Sequence, residues 1–153
     1  MRDNDVDQLN GLLKGELAAV ESYKQALTKI ADQAKAEALK DNLASHQERA
    51  GKLRQAIEEL GGTAELNTGS WGSITKWMTT NAGKMGDTAI LTALEEGEDL
   101  GEDDYEWRLI KIHGKYHKLV RDDLFPQQKK THNKLIQLVH NPMWPPMTEQ
   151  KEV

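Results

Sequence analysis

Residues 9–30 read LNGLLKGELAAVESYKQALTKI, and residues 91–112 read LTALEEGEDLGEDDYEWRLIKI. Laid over each other without a gap, they agree at Leu9/Leu91, Leu12/Leu94, Gly15/Gly97, Glu16/Glu98, Tyr23/Tyr105, Leu27/Leu109, Lys29/Lys111 and Ile30/Ile112. Unrelated segments of this length would share roughly one or two residues, so the chain carries a duplicated structural unit. In each copy the shared core is Gly-Glu-x6-Tyr. The glutamate lies two helical turns from a leucine on one side and from the tyrosine on the other, so all three share a face.

Working outward, the first copy predicts a helix over about 7–31, with Leu9, Leu12, Leu13, Ala19, Val20, Tyr23, Leu27 and Ile30 at helical spacing. Asp5 or Asp7 is suited to cap its start. Asp32-Gln33 turns the chain back. A second helix, about 35–60, places Leu39, Leu43, His46, Ala50, Leu53, Ile57 and Leu60 along one seam. Gly61-Gly62 ends it, because glycine accepts the left-handed conformation of a C-cap. The second copy predicts a third helix over about 87–112, with Asp87 as its N-cap. A fourth helix, about 115–140, turns Val120, Leu124, Phe125, Gln128, His132, Leu135 and Val139 inward. Pro126 removes a backbone donor from it and should kink or break it.

The stretch 61–86 is long enough to travel the length of a bundle, and Trp71, Ile74, Trp77, Met78 and Met85 suggest a short amphipathic helix within it. Trp71 and Trp77 cover a flank of the bundle or form a homodimer contact. The end of the chain, 141–153, begins NPMWPP and is read as an extended tail. The expected architecture is one all-α domain over 1–153 with its core at about 8–140. It is a four-helix bundle of two antiparallel hairpins joined by a long crossover.

Composition agrees with this and narrows the function. Ala, Leu, Glu, Lys and Gln dominate, which favours helix over sheet. A net charge of −5 without a basic cluster argues against a nucleic-acid surface. There are no cysteines, hence no disulfides or thiolate metal sites. No apolar run reaches membrane-spanning length, and the chain starts without a signal-peptide pattern, so the cytoplasm is the expected compartment. Glu95, Glu96, Glu102, Asp103 and Asp104 read as a solvated helix face.

Each helix then offers one ionisable residue to the interior: Glu16, His46, Glu98 and His132. The dipeptides Ser45-His46 and Thr131-His132 echo each other. Counted from the hairpin turns, the four differ in depth by up to four residues, about 6 Å, which tilt and side-chain length can absorb. Buried ionised groups are costly unless paired or bound to metal. Two carboxylates and two neutral imidazoles suit a divalent ion such as iron, manganese or zinc. Tyr23 and Tyr105 are placed to donate hydrogen bonds to the carboxylates, and Gln128 to support the site or ligate weakly. Ala19 and Gly101 are small and leave room beside them for a ligand or a closely packed neighbour. Two buried Glu–His pairs that merely fix helix register are the competing reading, with no cofactor at all.

The Gly-Glu-x6-Tyr pattern with inward histidines resembles the rubrerythrin and ferritin-like superfamily. The phrases GELAAVESYKQAL, SHQERAGKLRQAIEELGG and ALEEGED are closer to a bacterial branch of ferritin-like bundles without an assigned role. In di-iron members, helices 2 and 4 carry Glu-x-x-His. The resemblance matches Glu16 and Glu98 to terminal carboxylates and His46 and His132 to the histidines. The bridging positions hold Leu43 and Lys129 instead. It therefore implies a degenerate site, either a metal-binding protein with iron-handling or oxidoreductase chemistry, or a non-enzymatic helical module whose former site serves packing or partner binding.

Overall fold

A computed structural model describes residues 1–67 and 86–140. All regular structure in them is helical: α1 (Arg2–Leu27), α2 (Gln33–Glu59), α3 (Gly86–Leu109), α4 (Gly114–Leu119), a wide π turn (Val120–Leu124) and α5 (Phe125–His140). The last three form one continuous rod, so four rods make the bundle. The expected short helix of the crossover, the Trp71/Trp77 contact and the tail lie outside the described residues.

The ends of the helices follow local chemistry. Asp32 caps α2, its carboxylate accepting from the Lys35 N–H at 2.9 Å. At the other end Gly61, at φ 74°, and Gly62 close a Schellman motif: Gly61 N–H reaches Glu58 O and Gly62 N–H reaches Ile57 O, both at 2.9 Å. The fourth rod does not break at Pro126. It widens one turn earlier, where Phe125 N–H bonds back to Val120 O. The proline offers no N–H and its ring crowds the carbonyl four residues before it, so a wide turn relieves both problems.

Cross-helix bonds give the directions. Along α1 and α3, Tyr23 meets Glu98, Glu16 meets Tyr105 and Gln8 meets Arg108, so these helices run antiparallel. Asn42–Thr131, Arg49–Gln128 and Lys52–Asp123 set α2 antiparallel to the fourth rod. The end of α2 lies beside the start of α1, where Arg2 donates to Leu60 O at 2.8 Å. The start of α3 lies beside the first hairpin turn, at the other end of the bundle from the end of α2.

Asp87 corrects the expectation at that point. It does not cap its own helix: its carboxylate accepts from Ala31 N–H (2.8 Å) and Asp32 N–H (2.9 Å) in the opposite hairpin. Nor do Asp5 and Asp7 cap α1, which already starts at Arg2. Asp5 is buried and binds His113 in the second hairpin turn at 2.9 Å. Asp5 and Asp87 are 82 residues apart, as are the turn residues 31 and 113 and the glutamates 16 and 98. The offset of the repeat is therefore a pseudo-two-fold relation between the hairpins, each clamping the other's turn with one aspartate.

Two apolar clusters fill the bundle. Tyr23, Leu39, Ile90, Leu91, Leu94 and Leu135 pack in one half; Leu9, Leu12, Leu53, Ile57, Tyr105 and Leu124 pack in the other. Between them lies a polar layer. Asp87→Ala removes two carboxylate bonds that hold the hairpins together and should cost about 1–3 kcal/mol in urea denaturation, whereas Glu21→Ala on the exposed face should change little.

Candidate polar centre

The polar layer is built on Glu16 from α1, His46 and Arg49 from α2, Glu98 from α3, and Gln128 and Thr131 from α5. All are buried, and Arg49 is among the largest fully buried side chains. His46 bridges the two carboxylates: Nδ1 lies 2.6 Å from Glu16 Oε1, and Nε2 lies 2.8 Å from Glu98 Oε2. Carboxylates only accept, so with both glutamates ionised both ring nitrogens donate and the ring is an imidazolium. The tyrosines are exchanged between repeats. Tyr105 donates to Glu16 Oε2 at 2.7 Å, and Tyr23 donates to Glu98 Oε2.

Arg49 completes the centre. Its Nε lies 3.2 Å from Glu16 Oε2, Nη1 donates to Gln128 Oε1 at 2.6 Å, and Nη2 donates to Thr131 Oγ1 at 3.1 Å. Nη2 is also 2.9 Å and 3.2 Å from the two ring nitrogens of His46. Near-equal distances to both place it over the ring face, not along either lone pair. Glu98 Oε1 accepts from Thr131 (2.8 Å) and Gln128 (3.0 Å), while Asn42 bonds Tyr23 Oη and Thr131 O. No buried side-chain nitrogen or oxygen among the described residues lacks a partner. Two carboxylates, one guanidinium and one imidazolium sum to zero.

That balance governs protonation. Burial alone would raise the Glu16 pKa, but Arg49 and His46 outweigh it and lower it. Burial works the same way on Glu98, and His46 and then Arg49 overcome it. Burial opposes the His46 charge as well, yet Glu98 and Glu16 raise its pKa despite Arg49. Burial, followed by the adjacent carboxylates, pushes Tyr23 and Tyr105 well above the usual phenol value, so they remain donors.

Of the four expected inward ionisable residues, three meet. His132 does not. It is buried as expected but binds Glu102 at 2.9 Å, one turn beyond Glu98. The Ser45-His46/Thr131-His132 echo has an offset of 86, four residues out of phase with the repeat. Four residues carry a side chain one turn along the axis, about 6 Å, and about 40° around it. At the true offset of 82, His46 corresponds to Gln128 and Arg49 to Thr131. The geometry agrees, since Glu16–His46 and Glu98–Gln128 are each thirty residues apart and each in contact. Arg49, Thr131 and Asn42 were not legible from apolar seams, but the constant offset points to the first two. Of the two uses expected for the space at Gly101, the structure shows the closely packed neighbour: a methyl group there would lie 2.8 Å from Gln128 Nε2.

The donor atoms of the centre are paired with one another. Each carboxylate oxygen is already engaged, both His46 nitrogens are spent, and a guanidinium stands among them. Among the described residues no three His, Cys, Asp or Glu side chains are arranged to hold a metal ion. No helix among them is long and apolar enough to cross a membrane.

Fold and site together define a four-helix bundle of duplicated hairpins around a buried, internally neutralised ionic layer. A family profile described as a domain of unknown function (DUF2383) matches residues 4–110, and the chain belongs to that family. The match covers α1 to α3 and so includes Glu16, His46, Arg49 and Glu98, while Gln128 and Thr131 lie beyond it. No curated protein and no solved structure matches the chain.

Two measurements check this geometry. The glutamates contribute stability that is full above their ordinary value of 4.5 and is lost as pH falls through their lowered values. His46 contributes stability that is full below its ordinary 6.5 and is lost as pH rises through its raised value. Melting temperature should therefore peak between pH 4.5 and 6.5, and His46→Gln should flatten the alkaline side. In Gly101→Ala, the gain of about 1 kcal/mol in helix propensity should be outweighed by displacement of the Gln128 amide, a loss of about 1–3 kcal/mol. Net destabilisation in urea titration is the expected result.

Proposed function

We propose that the chain is a ferritin-like bundle acting as a non-enzymatic structural or partner-binding module, with a polar centre that specifies how its two hairpins pack. The single observation that supports this is Arg49, whose guanidinium lies among Glu16, His46, Gln128 and Thr131. The helix directions and the one long connection favour the ferritin-like assignment. A buried ion pair contributes little net stability against an apolar replacement, but removal of one partner costs about 3–5 kcal/mol because the other charge is stranded. Such a layer penalises every register in which its members fail to meet. The cytoplasm remains the proposed compartment.

The alternative, a divalent metal held by Glu16, His46 and Glu98, draws on the convergence of these three side chains. It requires Arg49 to leave the centre and His46 to surrender a ring proton. Metal analysis and thermal shifts on untagged protein separate the two readings. The expected outcome is well under one metal per chain and a change below about 1 °C on adding Fe2+, Mn2+ or Zn2+. One equivalent of metal, lost in His46→Ala, would establish the alternative.

A further inference from the structure

Which cation does this centre select? The two carboxylates lie on opposite sides of His46, one from each repeat. The pseudo-two-fold shell is filled unequally. The first hairpin supplies both cationic groups, His46 and Arg49, whereas the equivalent positions of the second hold neutral Gln128 and Thr131. Only one guanidinium is therefore present for two carboxylates and one imidazolium.

The acceptors around Arg49 match a planar fork and not a sphere. Gln128 Oε1 and Thr131 Oγ1 accept from Nη1 and Nη2, while Nε donates to Ser45 O at 3.4 Å and pairs with Glu16 Oε2 at 3.2 Å. Nη2 also lies 2.9 Å and 3.2 Å from the two ring nitrogens of His46. A metal ion in the same place would meet the ring face, where imidazole offers no lone pair.

We propose that the bundle centre is a binding site for a guanidinium-type monocation, one that the chain occupies with its own Arg49 side chain. The proposal rests on the metal-free reading above and adds a ligand class to it. Arg49→Ala should leave a cavity that retains the Glu16 carboxylate, the Gln128 and Thr131 oxygens and the His46 face. Free methylguanidinium or ethylguanidinium can enter it and restore the missing contacts.

The test is chemical rescue of Arg49→Ala. Its melting temperature is expected to fall well below that of the wild type and then to rise saturably, by roughly 5–10 °C at about a hundredfold excess over Kd, with methylguanidinium or ethylguanidinium. Urea and tetramethylammonium at equal concentration should not reproduce the rise, nor should the wild type show it. Absence of saturable rescue, or equal rescue by tetramethylammonium, would overturn the proposal. So would Zn2+ or Mn2+ stabilising the variant more than the guanidinium compounds do. Metal bound by the wild type would instead defeat the metal-free reading. If the alanine variant does not fold, Arg49→Lys decides. Lysine offers one nitrogen where Arg49 spreads its contacts over three, so a marked fall in melting temperature is expected, and wild-type stability would contradict the proposal.

Discussion

The contact between the Arg49 guanidinium and its surroundings is the constraint on which the rest of the bundle depends. Without it, two buried carboxylates would face a single imidazolium, and the layer would carry a net negative charge in an apolar interior. Such a charge is not tolerated between two hydrophobic clusters unless it is neutralised or protonated away. Arg49 neutralises it and also ties α2 to α1 and α5, because its three nitrogens reach Glu16, Gln128 and Thr131. The tyrosines add a second lock, since each repeat donates its phenol to the other repeat's glutamate.

Duplication explains the form of the centre, and divergence explains its content. The offset of 82 relates Asp5 to Asp87, Glu16 to Glu98, Tyr23 to Tyr105, His46 to Gln128 and Arg49 to Thr131. The first three pairs kept the same residue type and make reciprocal contacts across the axis. The last two diverged, and their members touch: Arg49 bonds both Gln128 and Thr131. A symmetric shell thus encloses an asymmetric, charge-balanced filling. Gly101, where the first repeat has Ala19, is part of that divergence, because it admits the Gln128 amide.

The helices, their inward faces and the facing glutamates were legible in the sequence because apolar spacing and an ungapped repeat fix them. The Gly61-Gly62 stop was legible for the same local reason. Four features were not. Asp87 has the composition of an N-cap, but tertiary proximity sends it to the turn at Ala31 and Asp32. The Pro126 defect appears one turn earlier as a π turn, since a widened backbone costs less than a broken rod. His132 looked like the partner of His46 by its neighbouring residue, yet it lies one turn away against Glu102. Arg49 was missed because a charged residue three positions after an inward histidine reads as a solvated flank unless its buried partners are known.

The central claim is that a guanidinium and an imidazolium together neutralise the two glutamates. Nitrogen-15 NMR of the imidazole and guanidinium groups in the wild-type protein tests it most directly. At pH 6 both His46 nitrogens should show protonated, imidazolium-type shifts, and the Arg49 Nε–H should exchange slowly with water. A neutral His46 ring with one bare nitrogen, together with a rapidly exchanging Arg49, would contradict the account.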